Sequence, residues 1–231
     1  MKSIEVLIIH YNTPNLTAAA VRSLWKQTPD AHVTIFDNSD NLPWTGKSSR
    51  LTYIDNTQGQ IVNWEEWLAT FPDKYPCPEN NYGSAKHCYS VEVCMDLFPR
   101  GFILADSDIL FKQDITPLWD ERFAWVGHAN MGYKYRGFMV PRVEPFLCFI
   151  NTPLLARYGI RYFNPDKMWK LRKDGPYAFY DTGAWFLEAC NNNELPGKEI
   201  DIWEYILHLC NGSWKQVQPR EWLLKHRDLW Q

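Results

Sequence analysis

Along the first forty residues, apolar and polar positions fall in blocks rather than alternating one by one. Ile4-Glu5-Val6-Leu7-Ile8-Ile9 is a nearly continuous apolar run, the pattern of a strand buried on both faces. His10-Tyr11-Asn12-Thr13-Pro14 breaks it. Asn15 then stands where a helix N-cap belongs, and Leu16, Ala20 and Leu24 follow at i, i+4 and i+8. His32-Val33-Thr34-Ile35-Phe36 returns to β-branched and aromatic residues and ends in Asp37-Asn38-Ser39-Asp40. Strand, helix and strand in so short a span predict a parallel βαβ unit.

The pattern recurs downstream. Leu51-Thr52-Tyr53-Ile54 predicts a third strand, whereas Trp64 to Gly83, rich in Trp, Pro and Asn, shows no period and is assigned no element. Ala85, Cys88, Val91, Met95 and Phe98 recur every three or four residues, as in a helix with one buried face. Pro99-Arg100-Gly101 stops that helix, and Phe102-Ile103-Leu104-Ala105 runs as a strand into Asp106-Ser107-Asp108. The order predicts an open, Rossmann-like α/β sheet. In the second half, strands are expected near 124–126 and 135–140, helices near 152–158 and 182–189, and a terminal helix over 223–230. Without a low-complexity linker or an internal repeat, residues 1–231 are expected to form a single domain.

Composition narrows the function classes. The chain has 231 residues, enough to bury a sizeable core. With 24 Lys plus Arg against 27 Asp plus Glu, it lacks the basic footprint of a dedicated nucleic-acid binder. No apolar run approaches the roughly 18 residues of a transmembrane span, and Ile4–Ile9 is too short for a signal-peptide core. The six cysteines form no CxxC pair and have no metal-ligand spacing. They are read as reduced, small hydrophobes of a cytoplasmic protein.

Ligands of open α/β sheets bind beyond the carboxyl ends of the strands. His10-Tyr11-Asn12, Asp37-Asn38-Ser39-Asp40 and Asp106-Ser107-Asp108 each follow a predicted strand, so parallel strands would bring them to one edge. With 15 aspartates in the chain, about one Asp-x-Asp arises by chance, and the tripeptide alone is a weak motif. Its place after a buried strand strengthens it. Two adjacent carboxylates repel unless a cation or hydrogen-bond donors neutralise them, and hard oxygen ligands suit Mg2+ or Mn2+. The competing reading is a polar turn capped by Asp108.

Taken in order, Ile4 to Asn12, Ile35-Phe36-Asp37-Asn38-Ser39, Asn81-Tyr82-Gly83-Ser84 and Phe102 to Asp108 resemble a nucleotide-sugar glycosyltransferase of the GT-A fold, nearest in flavour to glycosyltransferase family 2. The resemblance implies an open mixed sheet flanked by helices. Residues 1–115 would form the donor half and residues 116–231 the acceptor and catalytic half. The implied partner is a nucleoside diphosphate sugar, a UDP-sugar first of all. The acceptor hydroxyl is unidentified; a glycan is the default and nucleic acid an alternative.

By the same resemblance, Tyr11 and Asn12 would line the nucleotide pocket and Asp37 would bond the base. The Asn81-x-Gly83 turn would approach the ribose or sugar, with glycine permitting close contact. Asp106 and Asp108 would bind the cation, Mn2+ or Mg2+. His10 and His87 depart from the family pattern, the second standing where Asn or Arg is frequent.

Asp181 precedes a helical pattern, and inverting members of the family place a general base in a similar position; a plain N-cap is the alternative. His208, in His208-Leu209-Cys210-Asn211-Gly212-Ser213-Trp214-Lys215, looks like the histidine that completes the metal shell in several GT-A enzymes, against the alternative of a structural residue. Lys215 would then meet the leaving diphosphate. The basic run Lys167 to Lys173 is read as a solvated face before it is read as an acceptor contact.

Three functions are therefore weighed. The first is a metal-dependent transferase of a sugar to a hydroxyl, with inversion. The second is a non-catalytic nucleotide- or carbohydrate-binding module of the same fold. The third is a glycosyltransferase acting on a modified nucleic-acid base. A nucleotidyltransferase is disfavoured, because residues 10–15 lack the glycine and the Lys or Arg of a phosphate-gripping loop.

Overall fold

The computed structural model describes residues 3–69, 78–131, 138–168, 178–209 and 219–231. The first half comprises β1 (Glu5–His10), α1 (Pro14–Gln27), β2 (His32–Asp37), β3 (Leu51–Asp55), α2 (Trp64–Ala69), α3 (Pro78–Cys94), β4 (Phe102–Ala105) and β5 (Ile109–Phe111). Next come β6 (Trp125–Gly127), β7 (Ala129–Asn130), β8 (Phe138–Met139), β9 (Arg142–Val143), β10 (Leu147–Ile150), α4 (Thr152–Arg157) and α5 (Pro165–Met168). The chain closes with β11 (Ala178–Phe179), α6 (Ala184–Asn192), β12 (Gly197–Glu199), β13 (Ile206–His208), α7 (Pro219–Lys225) and α8 (Arg227–Trp230).

Among the described residues the main sheet has seven strands, in the order β12-β6-β10-β4-β1-β2-β3. β1 to β4 are mutually parallel, as the apolar runs predict. β10 runs antiparallel to both β4 and β6, while β12 lies parallel to β6, so the sheet is mixed and draws strands from both halves of the chain. Alternation along β1 divides the core. Leu7 and Ile9 face the buried side of α3 with Ala85, Cys88 and Val91, whereas Val6 and Ile8 pack with Val21 and Leu24 of α1. Burial pushes the thiols of Cys88, Cys94 and Cys190 up to about 12, so they stay protonated and act as packing groups.

Several boundaries differ from the expected ones, each for a physical reason. α1 starts at Pro14 with Thr13 in the cap position, not Asn15, because proline at the first helical position forfeits an N–H that has no partner there anyway. α3 begins at Pro78, seven residues before the first apolar repeat. Asn81 and Gly83 therefore lie inside a helix rather than in a turn before one, and a Cβ on Gly83 would meet nothing within 4 Å. α6 begins at Ala184, with Gly183 as its cap at φ 82°. Asp181 thus stands outside the cap position, although its carbonyl accepts the Ala184 N–H at 3.0 Å. The terminal segment is two helices, α7 and α8, with α8 packed against α1. Of the strand expected near 135–140, Phe138–Met139 is observed and 132–137 lie outside the described residues.

Gly183 tests this architecture. A Cβ there would sit 2.1 Å from the Val143 carbonyl oxygen, and the left-handed backbone itself disfavours any other residue. Gly183→Ala is expected to lower unfolding stability by at least about 2 kcal/mol, measured by urea titration.

Candidate metal and nucleotide-sugar site

The carboxyl ends of β1, β2 and β4 bring the three polar clusters into contact. Asn12, at φ 53°, staples the first two. Its N–H bonds Ser39 Oγ at 2.8 Å, its side-chain oxygen accepts from the backbone N–H groups of Asn41 and Leu42, and its amide donates to Asp40. Thr13 Oγ1 lies 3.3 Å from Ser107 Oγ, joining the third cluster. The Asp37 carboxylate is fully buried and accepts from Ser39 N, Trp44 N and the Tyr53 hydroxyl. It orders the loop after β2.

The exposed carboxylate of this corner is Asp40. Hydrogen bonds from Asn12 and then Tyr11 hold it below the usual range, with Lys86 adding to the effect. The Lys86 ammonium lies 4.9 Å from the Tyr11 ring centroid and 5.0 Å from that of Trp64. Burial lowers its pKa, and Asp40 partly opposes that. His10 is likewise accounted for by packing. Nε2 lies 3.3 Å from the Leu42 carbonyl, to which it can only donate, and Nδ1 lies 2.7 Å from Thr17 Oγ1, whose hydroxyl also reaches the Thr13 carbonyl at 3.1 Å. Burial lowers the pKa of this ring despite nearby Asp37.

The acidic cluster lies where β4 leaves the sheet. Asp106, Asp108 and His208 each present a ligand atom within 4.8 Å of the others. The antiparallel pairing of β5 with β13 sets His208 opposite Ile109, and Leu209 N donates to the Asp108 carbonyl at 3.0 Å. Phe146 fixes two members at once. Its carbonyl accepts from Asp106 N at 3.1 Å, and its ring stacks on His208 at 4.2 Å between centroids.

His208 Nε2 is 3.2 Å from Asp108 Oδ1 and 3.9 Å from Asp106 Oδ2. An octahedral cation with ligands at about 2.1 Å puts adjacent ligands about 3.0 Å apart and opposite ones about 4.2 Å apart. The first separation is close to the adjacent value and the second lies between the two, and a set of two carboxylate oxygens and one imidazole nitrogen is chemically suited to a cation such as Mn2+. Burial alone would raise the Asp106 pKa, but the neighbouring His87, His208 and Arg142 outweigh it and hold the group below its usual value.

A second polar network adjoins the first. Arg142 pairs with Glu144 at 2.8 Å and with Asp181, and Asn130 Nδ2 bonds the other Glu144 oxygen at 2.8 Å. Asp181 also accepts from Ser84 Oγ at 2.6 Å and from Thr182 N at 2.8 Å. Both of its oxygens are thus engaged.

Similarity to solved structures bears on the fold that carries these residues. Mouse xyloside xylosyltransferase 1 aligns over 87% of this chain and 86% of its own, at 12% identity and a TM-score of 0.51. That comparison, with the mixed seven-stranded sheet, decides the architecture. The fold is that of the GT-A glycosyltransferases. Weaker GT-A similarities include the galactosyltransferase LgtC, at 14% identity over 71% of this chain with a TM-score of 0.41, and a Pyrobaculum calidifontis mannosyltransferase solved with GDP-Man and Mn2+, at 15% identity over 78% and 0.38. The chain spans 62% of LgtC, 56% of the mannosyltransferase and 33% of the bifunctional glycosyltransferase WbbM. No protein-family model and no curated protein sequence matches the chain.

Within this GT-A frame, the structure brings Asp106, Asp108 and His208 together and sets Tyr11 beside Asn12 at the same sheet edge. Lys215 and the side chain of Asn81 lie outside the described residues. Lys167, from the basic run, pairs with Glu188 at 2.7 Å. Ser84 closes the Asn81-Tyr82-Gly83-Ser84 motif but was given no role, and Lys86 and Arg142 had no signal of their own. Ser84 sits just before the apolar repeat that marked the helix, Lys86 is a polar position between Ala85 and Cys88 of that repeat, and Arg142 is on a two-residue strand too short to show a period.

Two outcomes are expected. Alanine at Gly83 gains helix propensity without a clash, so Gly83→Ala should stabilise the fold by about 0.5–1 kcal/mol in urea unfolding. If a bound sugar approaches this position closely, the same change will also weaken donor binding. Burial holds the folded pKa of His10 below the ordinary imidazole value of about 6.5, so the unfolded chain takes up its proton first. Its stabilisation is complete above about pH 6.5 and declines as the pH falls toward the lower folded value. His10→Gln should flatten the melting-temperature profile between pH 7 and 5.5 relative to the parent.

Proposed function

We propose that this chain is a metal-dependent glycosyltransferase that moves a sugar from a nucleoside diphosphate sugar, UDP-linked in the first instance, to an acceptor hydroxyl. The observation that carries this reading is the Asp106, Asp108 and His208 trio at the carboxyl edge of a GT-A sheet. When bound, the cation would neutralise the diphosphate and so ease its departure. Asp106, Asp108 and His208 would hold it, and Phe146 keeps the histidine ring oriented. Tyr11, whose ring is half exposed, is the surface available for a base to stack on, and Lys86 supplies positive charge beside it. Lys215 remains the group assigned to the leaving diphosphate, from its place in the His208 segment.

Inversion follows if Asp181 takes the acceptor proton. A second reading, retention, is favoured by the hydrogen bonds of Asp181. Arg142, Ser84 and Thr182 N already bond both oxygens, so a base in that position would have to take the acceptor proton while held by those donors. On that reading Asp181 shapes the acceptor wall. The anomeric configuration of the first product, read by proton NMR, separates the two.

The reading is tested by thermal shift with UDP, GDP, CDP and dTDP, each with and without Mn2+. One nucleotide is expected to stabilise the protein only with the metal, by about 2.7 kcal/mol at 100 times its dissociation constant. Asp108→Asn should abolish that dependence and reduce turnover on the order of 100-fold or more. Nucleotide binding without transfer or donor hydrolysis would make the chain a non-catalytic module instead.

A further inference from the structure

His87 lies on α3, one helical turn beyond Ser84, so the face that bonds Asp181 through Ser84 also presents an imidazole to Asp106. Both ring nitrogens are shielded from solvent, and neither has a hydrogen-bond partner among the described residues. Idle polar atoms of this kind are uncommon in folded proteins and cost free energy until they are used. His87 Nε2 stands 3.6 Å from Asp106 Oδ1, about half an ångström beyond hydrogen-bond reach, whereas Oδ2 of the same carboxylate is the oxygen nearest His208. The two oxygens of Asp106 thus face different partners. His87 itself is not part of the three-residue ligand cluster.

The geometry points to His87 as a positioning residue for the cation: it closes on Asp106 Oδ1 as an N–H donor and leaves Oδ2 to the metal. The inference rests on the metal reading proposed above and adds a residue that acts through Asp106. A hydrogen bond spends one lone pair of Oδ1 and holds the carboxylate turned toward His87, which favours one coordination position, through Oδ2, over two. More of the shell is then left for donor phosphates. The role also sets the tautomer, since Nε2 must carry the hydrogen.

The test is Mn2+ titration of the full chain by electron paramagnetic resonance, with melting of the metal-free proteins measured alongside. His87→Leu removes the donor, whereas His87→Gln retains an amide N–H at comparable reach. His87→Leu is expected to weaken Mn2+ binding by roughly 10- to 100-fold, and His87→Gln to restore it to within about threefold of the parent. The metal-free melting temperatures should not fall. Pulsed spectra of the parent should show one coordinated imidazole, that of His208, an outcome readable even if the leucine variant fails to fold. Two coordinated imidazoles would make His87 a ligand and overturn the positioning role. Parent-like Mn2+ affinity in His87→Leu would also overturn it while leaving the metal site standing. Failure of the parent to bind Mn2+ would remove the metal reading and this inference together.

Discussion

Three residues of backbone pairing hold the candidate site together. β5 and β13 are three residues each, yet their antiparallel ladder sets His208 beside Asp108 across 100 positions of chain. Neither strand belongs to the main sheet, so the ladder is an outwork whose stability comes from what it leans on. β5 is fastened to α1 through Phe111 N and Ser23 Oγ at 3.0 Å, and Lys112 N reaches the Tyr205 carbonyl at 2.8 Å. Ile109, Phe111, Ile202 and Ile206 bury their side chains in the same cluster as Val21 and Leu24 of α1. The trio is therefore positioned by core packing, with the hydrogen bonds supplying register.

The parallel half of the fold was legible because strands buried on both faces leave long apolar runs, and β1, β2 and β4 fall where those runs lie. Asp106 and Asp108 were legible for the same reason, since a carboxylate pair just after such a strand is conspicuous. β10 carried its own unread signal, the run Leu147-Cys148-Phe149-Ile150. β9, β12 and β13 carried little, because two or three residues cannot display a period and tertiary pairing alone makes them strands. The start of α3 was hidden by the polar Pro78-Glu79-Asn80-Asn81 segment, which lacks the apolar repeat of its later turns.

Residue roles were harder to read than residue positions. Asp37 and Asn12 stand at the expected edge, but their polar atoms are largely spent on ordering the loops around them. Which acid is enclosed and which is open depends on where Trp44 and Tyr53 come to rest, and a linear pattern carries no such information. His10 is similar: a polar residue in a strand-end cluster that packing converts into a neutral core group between Thr17 and Leu42.

The reversed direction of β10 has a consequence for how the chain can be divided. β4 meets β1 on one side and β10 on the other, and β10 comes from the second half. A fragment ending near residue 115 would leave the backbone of Phe102–Ala105 bare along a fully apolar strand, an open template for pairing with another copy. The half that carries the two aspartates is thus unsuited to independent life as a donor-binding unit.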